Sequence, residues 1–144
     1  MRVSVQAGAT QGVARIREIL LAARAQLASD EAELAAVFRA PPPAPGGQFP
    51  DPVPALNRMR EHLQAVRAEI LQETGGGVPG ATARTLSARA ILETDEALAK
   101  LVEARLAPAA GPAAVLLEES VRLRVAARKS STQAGNALGI PWPL

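Results

Sequence analysis

The chain has 144 residues, with 16 Lys and Arg against 14 Asp and Glu for a net charge of +2, one His and no Cys. That length fits a single domain able to bury a core, and the lack of Cys excludes disulfide frameworks, thiolate catalysis and Cys-ligated zinc. The charges are interspersed, 8 cations and 7 acids in each half when the chain is cut after Gln72, which is not the profile of a polyanion-binding protein.

Hydrophobic residues make up 48% of the chain, but 31 of them are Ala and the only aromatics are Phe38, Phe49 and Trp142. A core must therefore come from Leu, Val, Ile and Ala. A buried large aliphatic side chain contributes roughly 1.5–3 kcal/mol and Ala much less, so thin faces of this kind gain by packing on another chain. Fourteen of the 16 cations are Arg, a bias that fits a GC-rich genome. The longest uncharged apolar run near the start, Ile19 to Ala23, is bracketed by Glu18 and Arg24. It is far shorter than a signal-peptide core or the ~20 residues of a membrane span. The expected location is the cytoplasm or the interior of a particle, with no membrane partner and no cofactor.

Residues 1–9 alternate weakly, with Val3, Val5 and Ala7 on one side, and read as an extended arm. A first helix over 10–40 starts at Thr10, a plausible N-cap. Its positions Val13, Ile16, Leu20, Ala23, Leu27, Asp30, Leu34 and Val37 follow a 3-4 alternation, apolar at all but Asp30. Pro41-Pro42-Pro43 ends it by removing donors and disfavouring the helical conformation of the preceding residue.

Residues 41–54 hold seven prolines in fourteen positions, a semi-rigid linker with polyproline II character. At about 3.1 Å per residue it reaches far enough to leave the first two helices free to run parallel or antiparallel. A second helix over 52–74 is capped by Asp51, carries the seam Leu56, Met59, Leu63, Val66 and Ile70, and stops at Gly75-Gly76-Gly77. The short break favours an antiparallel third helix over 82–107. Its seam is Ile91, Asp95, Leu98 and Val102, with Glu93, Glu96, Lys100 and Glu103 toward solvent and Glu96 to Lys100 in the favourable i, i+4 order. Pro112 opens a fourth helix over 112–134 whose stripe, Leu116, Ser120, Leu123, Ala127, Ser130 and Ala134, is mostly small residues. Gly135 is its expected cap, leaving 135–144 as an extended tail.

The fold expected is all-α, an elongated bundle of three or four helices with coiled-coil-like seams. A di-metal carboxylate site needs two Glu-x-x-His pairs, and the single His62 has Met59 three residues before it, so no metal ligands are expected. His62 reads as a partly exposed surface residue. A hydroxyl nucleophile would depend on that same His. The glycine runs lack the Lys and Ser/Thr of a phosphate loop. No catalytic residue is therefore expected.

What remains are surfaces. Asp30 and Asp95 interrupt apolar seams: each either meets a cation from another helix and fixes register, or lies where its helix flares to solvent. Arg122, Arg124, Arg128 and Lys129 form the one basic cluster. Ile140, Trp142 and Leu144 alternate in a tail held extended by two prolines, three apolar anchors that dock on the chain's own bundle or on a partner. The helical hairpin and length resemble the small helical substrates of actinobacterial specialised secretion systems, without their Trp-x-Gly turn or Tyr-bearing tail. The helices and C-terminal arm resemble phage head-to-tail adaptors in outline only.

The function expected is a non-catalytic structural or adaptor subunit of an oligomeric assembly, such as a phage-like particle or secretion apparatus, with a protein partner. A helical chaperone or regulatory binding module is the first alternative. A nucleic-acid-binding protein using residues 122–129 is the second, though it lacks a reading element or stacking aromatics.

Overall fold

The computed structural model describes residues 2–41, 43–47 and 50–141, with side chains from residue 12 onward. Four helices account for most of them: α1 Arg2–Phe38, α2 Val53–Gln72, α3 Gly77–Leu106 and α4 Ala110–Leu138. No strand occurs among the described residues.

Cross-helix contacts fix the order. Glu33 pairs with Arg58, and Arg15 lies 3.5 Å from both Glu69 and Glu73, so α2 runs back along α1. Arg60 reaches Asp95, and Arg84 donates to the Glu73 carbonyl at 2.6 Å, which turns α3 back along α2. Ser120 donates to the Ala97 carbonyl at 3.0 Å and Lys100 meets Glu119 at 3.4 Å, reversing α4 on α3. The result is an up-down-up-down helical bundle. The question that the proline-rich segment leaves open is thus answered as antiparallel.

The apolar periodicity dictates the centre. Ile16, Leu20 and Leu27 of α1, Leu56, Leu63 and Ile70 of α2, and Ile91, Leu98 and Val102 of α3 are all buried and form one cluster. α4 adds only Leu138 to it. The other fully buried positions of α4 are small, Ser120, Ala127, Ser130 and Ala134 among them. Small residues at a contact let two helices lie close together, and α4 rests on α3 in this way.

Four boundaries correct the sequence expectation. The segment 1–9 is helical from Arg2 rather than an extended arm. Three alternating apolar residues carry little strand preference, and extending an existing helix costs far less than nucleating other structure. α3 starts at Gly77, five residues early: Gly76 turns the chain at φ 96°, and Pro79 then falls in the first turn, where its missing N–H costs nothing. α4 spans Ala110–Leu138, so Gly135 is internal. The stop is Gly139 at φ 68°, where Ile140 N–H bonds the Gly135 carbonyl at 3.1 Å in a Schellman arrangement. Residues 135–138 of the expected tail are therefore helical. At α2, Pro52 occupies the N-cap position and Asp51 acts from one residue earlier, accepting the Val53 N–H at 3.0 Å.

Two side-chain expectations also change. Lys100 pairs with Glu103 and Glu119 rather than Glu96, and Glu93 is not on a solvent face but accepts a hydrogen bond from Ser130 across the α3–α4 contact. No described helix is long and apolar enough to cross a membrane.

Candidate functional site

The two seam carboxylates are both buried, and both turn toward α2. Asp30 on α1 is 4% exposed. Its Oδ2 lies 2.6 Å from His62 Nδ1, and its Oδ1 accepts from Gln26 at 3.2 Å one turn earlier on α1. Asp95 on α3 accepts from Arg60 Nε at 3.0 Å and from Gln64 Nε2 at 3.4 Å. A buried carboxylate stripped of its partner is strongly unfavourable, so these pairs tie the rotation of α2 to α1 on one side and to α3 on the other. His62 is thereby more than a surface residue, although its side chain is 38% exposed. The clue in the sequence is that an Asp inside an apolar seam needs a donor, and His62 flanks the α2 seam at Leu63. Among the described residues His62 has no hydrogen bond to a hydroxyl, and no group of three His, Asp or Glu could hold a metal ion.

The larger feature is a cleft. At one end α1 and α4 are joined by Arg17, whose Nε and Nη2 donate to the Leu138 carbonyl at 3.1 and 2.6 Å, a cation on the exposed carbonyls of a helix C-terminus. Toward the other end the two helices stand apart, and the space between them opens onto the core. Its deeper part, about 210 Å³, lies between Leu27 and Glu31 of α1 and Arg124, Ala127 and Arg128 of α4, with Met59, Leu63 and Leu98 also lining it. Its wider part, about 660 Å³, lies between Leu34 and Phe38 of α1 and Ala113 and Leu117 of α4, over Leu101 and Ala104, with Pro108 of the α3–α4 loop beside it. Arg124 borders both.

The walls are mainly aliphatic, and the charge at the rim has one dominant sign. Arg105, Arg124 and Arg128 line the cleft against the single acid Glu31, and none of these four takes part in an ion pair among the described residues. Phe38 at the mouth is 70% exposed. The cleft is thus a concave, mainly apolar surface between bundle helices, edged by a few cations.

The basic cluster does not act as one patch. Arg124 and Arg128 turn to the cleft, whereas Arg122 lies beside Leu117, Glu118 and Val121 on the outer side of α4. That outer side carries an apolar ridge, Leu117, Val121 and Val125, with 47%, 58% and 64% exposure. Nearby, Glu103 foremost and then Glu119 raise the pKa of the Lys100 ammonium above its ordinary value. In the tail, Ile140 is half-buried and packs on the chain's own core, while Trp142 and Leu144 lie outside the described residues. The seam carboxylates and the Arg124 and Arg128 pair are visible in the sequence, but not the cleft, which arises where α1 and α4 stand apart beyond the Arg17–Leu138 end. Compared with known proteins, the chain matches no family model, no curated protein and no solved structure.

Proposed function

We propose that the chain is a non-catalytic adaptor or structural subunit of an oligomeric assembly, inside the cell or within a particle, and that the α1–α4 cleft is where a protein partner enters. The observation that carries this reading is the opening itself. In an up-down-up-down bundle the first and last helices close the ring; here they do so at the Arg17–Leu138 end only, and Leu27, Leu34, Leu101 and Leu117 are left lining the gap. A fifth helix laid into the gap completes the bundle. Three unpaired arginines against one glutamate favour a partner helix with acidic flanks. The 3-4 spacing of the apolar faces, the thin Ala-rich core and the proline-rich turn at 39–52 accord with an elongated, coiled-coil-like component that gains stability in company.

The test is site-specific photocrosslinking in the native host. A benzoyl-phenylalanine at Phe38, at the cleft mouth, is expected to give one discrete adduct with a partner protein, and the same group at exposed Ala65 on α2 none. A single purified partner should then raise the melting temperature. A strictly monomeric chain that yields no adduct from Phe38 would remove the proposal. The regulatory-module reading uses the same cleft, and is told apart by a one-to-one complex that does not grow into larger particles.

A further inference from the structure

We infer that the outer ridge of α4 binds the same ridge of a second copy, antiparallel about a two-fold axis near Val121. The inference deepens the assembly reading by naming the first contact of the subunit with its own kind, and its ridge shares Leu117 with the wall of the cleft while Val121 and Val125 lie outside it.

Leu117, Val121 and Val125 recur every four residues, which aligns them as a single i, i+4 ridge, the arrangement that packs ridge into groove between two helices. All three are exposed and the opposite face of α4 is already occupied by α3. The flank of the ridge away from the cleft carries Glu118 and Arg122. Neither joins an ion pair within the chain among the described residues.

These charges select the occupant. When two helices pair antiparallel about a two-fold axis, like flanks face each other with the residue order reversed. With Val121 on the axis, Leu117 falls opposite Val125 of the second copy and Glu118 comes within about 3 Å along the axis of its Arg122, twice over by symmetry. A uniformly acidic or basic partner would oppose one of the two charges, whereas a second copy satisfies both. On the other flank, Arg124 lies about 1.5 Å along the axis from the level of the second copy's Leu117 and roughly 9 Å from its own counterpart, close to a Debye length at ordinary ionic strength. One helical ridge buries less than the ~800 Å² per partner of a standard interface, so a reversible dimer with a dissociation constant of roughly 10–100 µM is expected.

Sedimentation equilibrium of the full chain between about 5 and 500 µM should therefore show a mass rising from one chain toward two. Val121→Arg should hold it at one chain with unchanged helicity, since that side chain is exposed. Glu118→Arg and Arg122→Glu should each weaken dimerisation about tenfold, and the double reversal should restore it. Because the chain has no Cys, orientation can be read directly: a mixture of Leu117→Cys and Val125→Cys chains should oxidise to the mixed disulfide. A wild-type chain that stays monomeric, a dimer indifferent to Val121→Arg, a double reversal without recovery, or the two like-with-like disulfides would each overturn the inference. A monomeric chain that still crosslinks from Phe38 would overturn the dimer and leave the adaptor reading standing.

Discussion

α3 has two unlike sides. Toward α1 and α2 it presents Ile91, Leu98 and Val102, large buried side chains interrupted by the paired carboxylate of Asp95. Toward α4 it meets small residues: Ser120 donates to the Ala97 carbonyl, Ser130 bonds Glu93, and Ala127 and Ala134 are buried beside them. Large aliphatics remove much apolar area per contact and tolerate some slack. Small ones remove little, and hold two helices together only if the backbones stay close. One side is where the bundle is held, and the other is where a helix is laid on it, which is why α4 can leave a cleft beside it without undoing the core.

Truncation should separate the two sides most sharply. Ile91→Ala removes a fully buried side chain from the central cluster and should cost about 3–4 kcal/mol, lowering the denaturation midpoint of the whole chain in one transition. A transition in which α4 alone melts would show that the cluster is not what holds the bundle. Ala97→Leu addresses the other side. The Ala97 side chain is 1% exposed where α4 lies close, and overpacking there should cost about 1–3 kcal/mol. The loss should be local, with amide protection falling in α4 while α1 and α2 keep theirs, read by hydrogen exchange.

The same contrast explains what was legible beforehand. Ile16, Leu63 and Ile91 were readable as core because large apolar residues at 3-4 spacing have few other uses in a helix. Asp30 and Asp95 stood out for the opposite reason, and their partners followed only once α2 was seen to lie between them. The end of α4 was ambiguous because Gly135 and Gly139 lie one turn apart and either fits a left-handed stop. The choice falls on Gly139, which lets Ile140 reach the core. Nothing in the sequence sets Gly12 apart. A Cβ there would lie 2.7 Å from the Gly76 Cα, so the glycine break between α2 and α3 and the turn of α1 at Gly12 depend on each other's lack of side chain. The cleft was not legible at all, since it depends on how far α4 stands from α1 and no residue type encodes that distance.

The hydroxyls between α3 and α4 allow a finer measurement, because the small-residue side contains both satisfied and orphaned ones. Ser120 is 1% exposed and donates to Ala97, so Ser120→Ala leaves that carbonyl without its extra donor and should cost about 1 kcal/mol. Ser87 and Ser131 are also buried, but their Oγ atoms have no hydrogen-bond partner among the described residues. The register set by Ser120 on Ala97 brings them to the same level of the two helices, yet no bond joins them. A buried hydroxyl without a partner is unfavourable, and Ala is the better helix former, so Ser87→Ala and Ser131→Ala should each stabilise the chain by about 1 kcal/mol. Urea melts of the three variants decide the matter: one midpoint should fall and two should rise with unchanged slope. If Ser87→Ala destabilises the chain as Ser120→Ala does, that hydroxyl has a partner in solution, and the α3–α4 contact is held by hydrogen bonds along its length instead of by close approach alone.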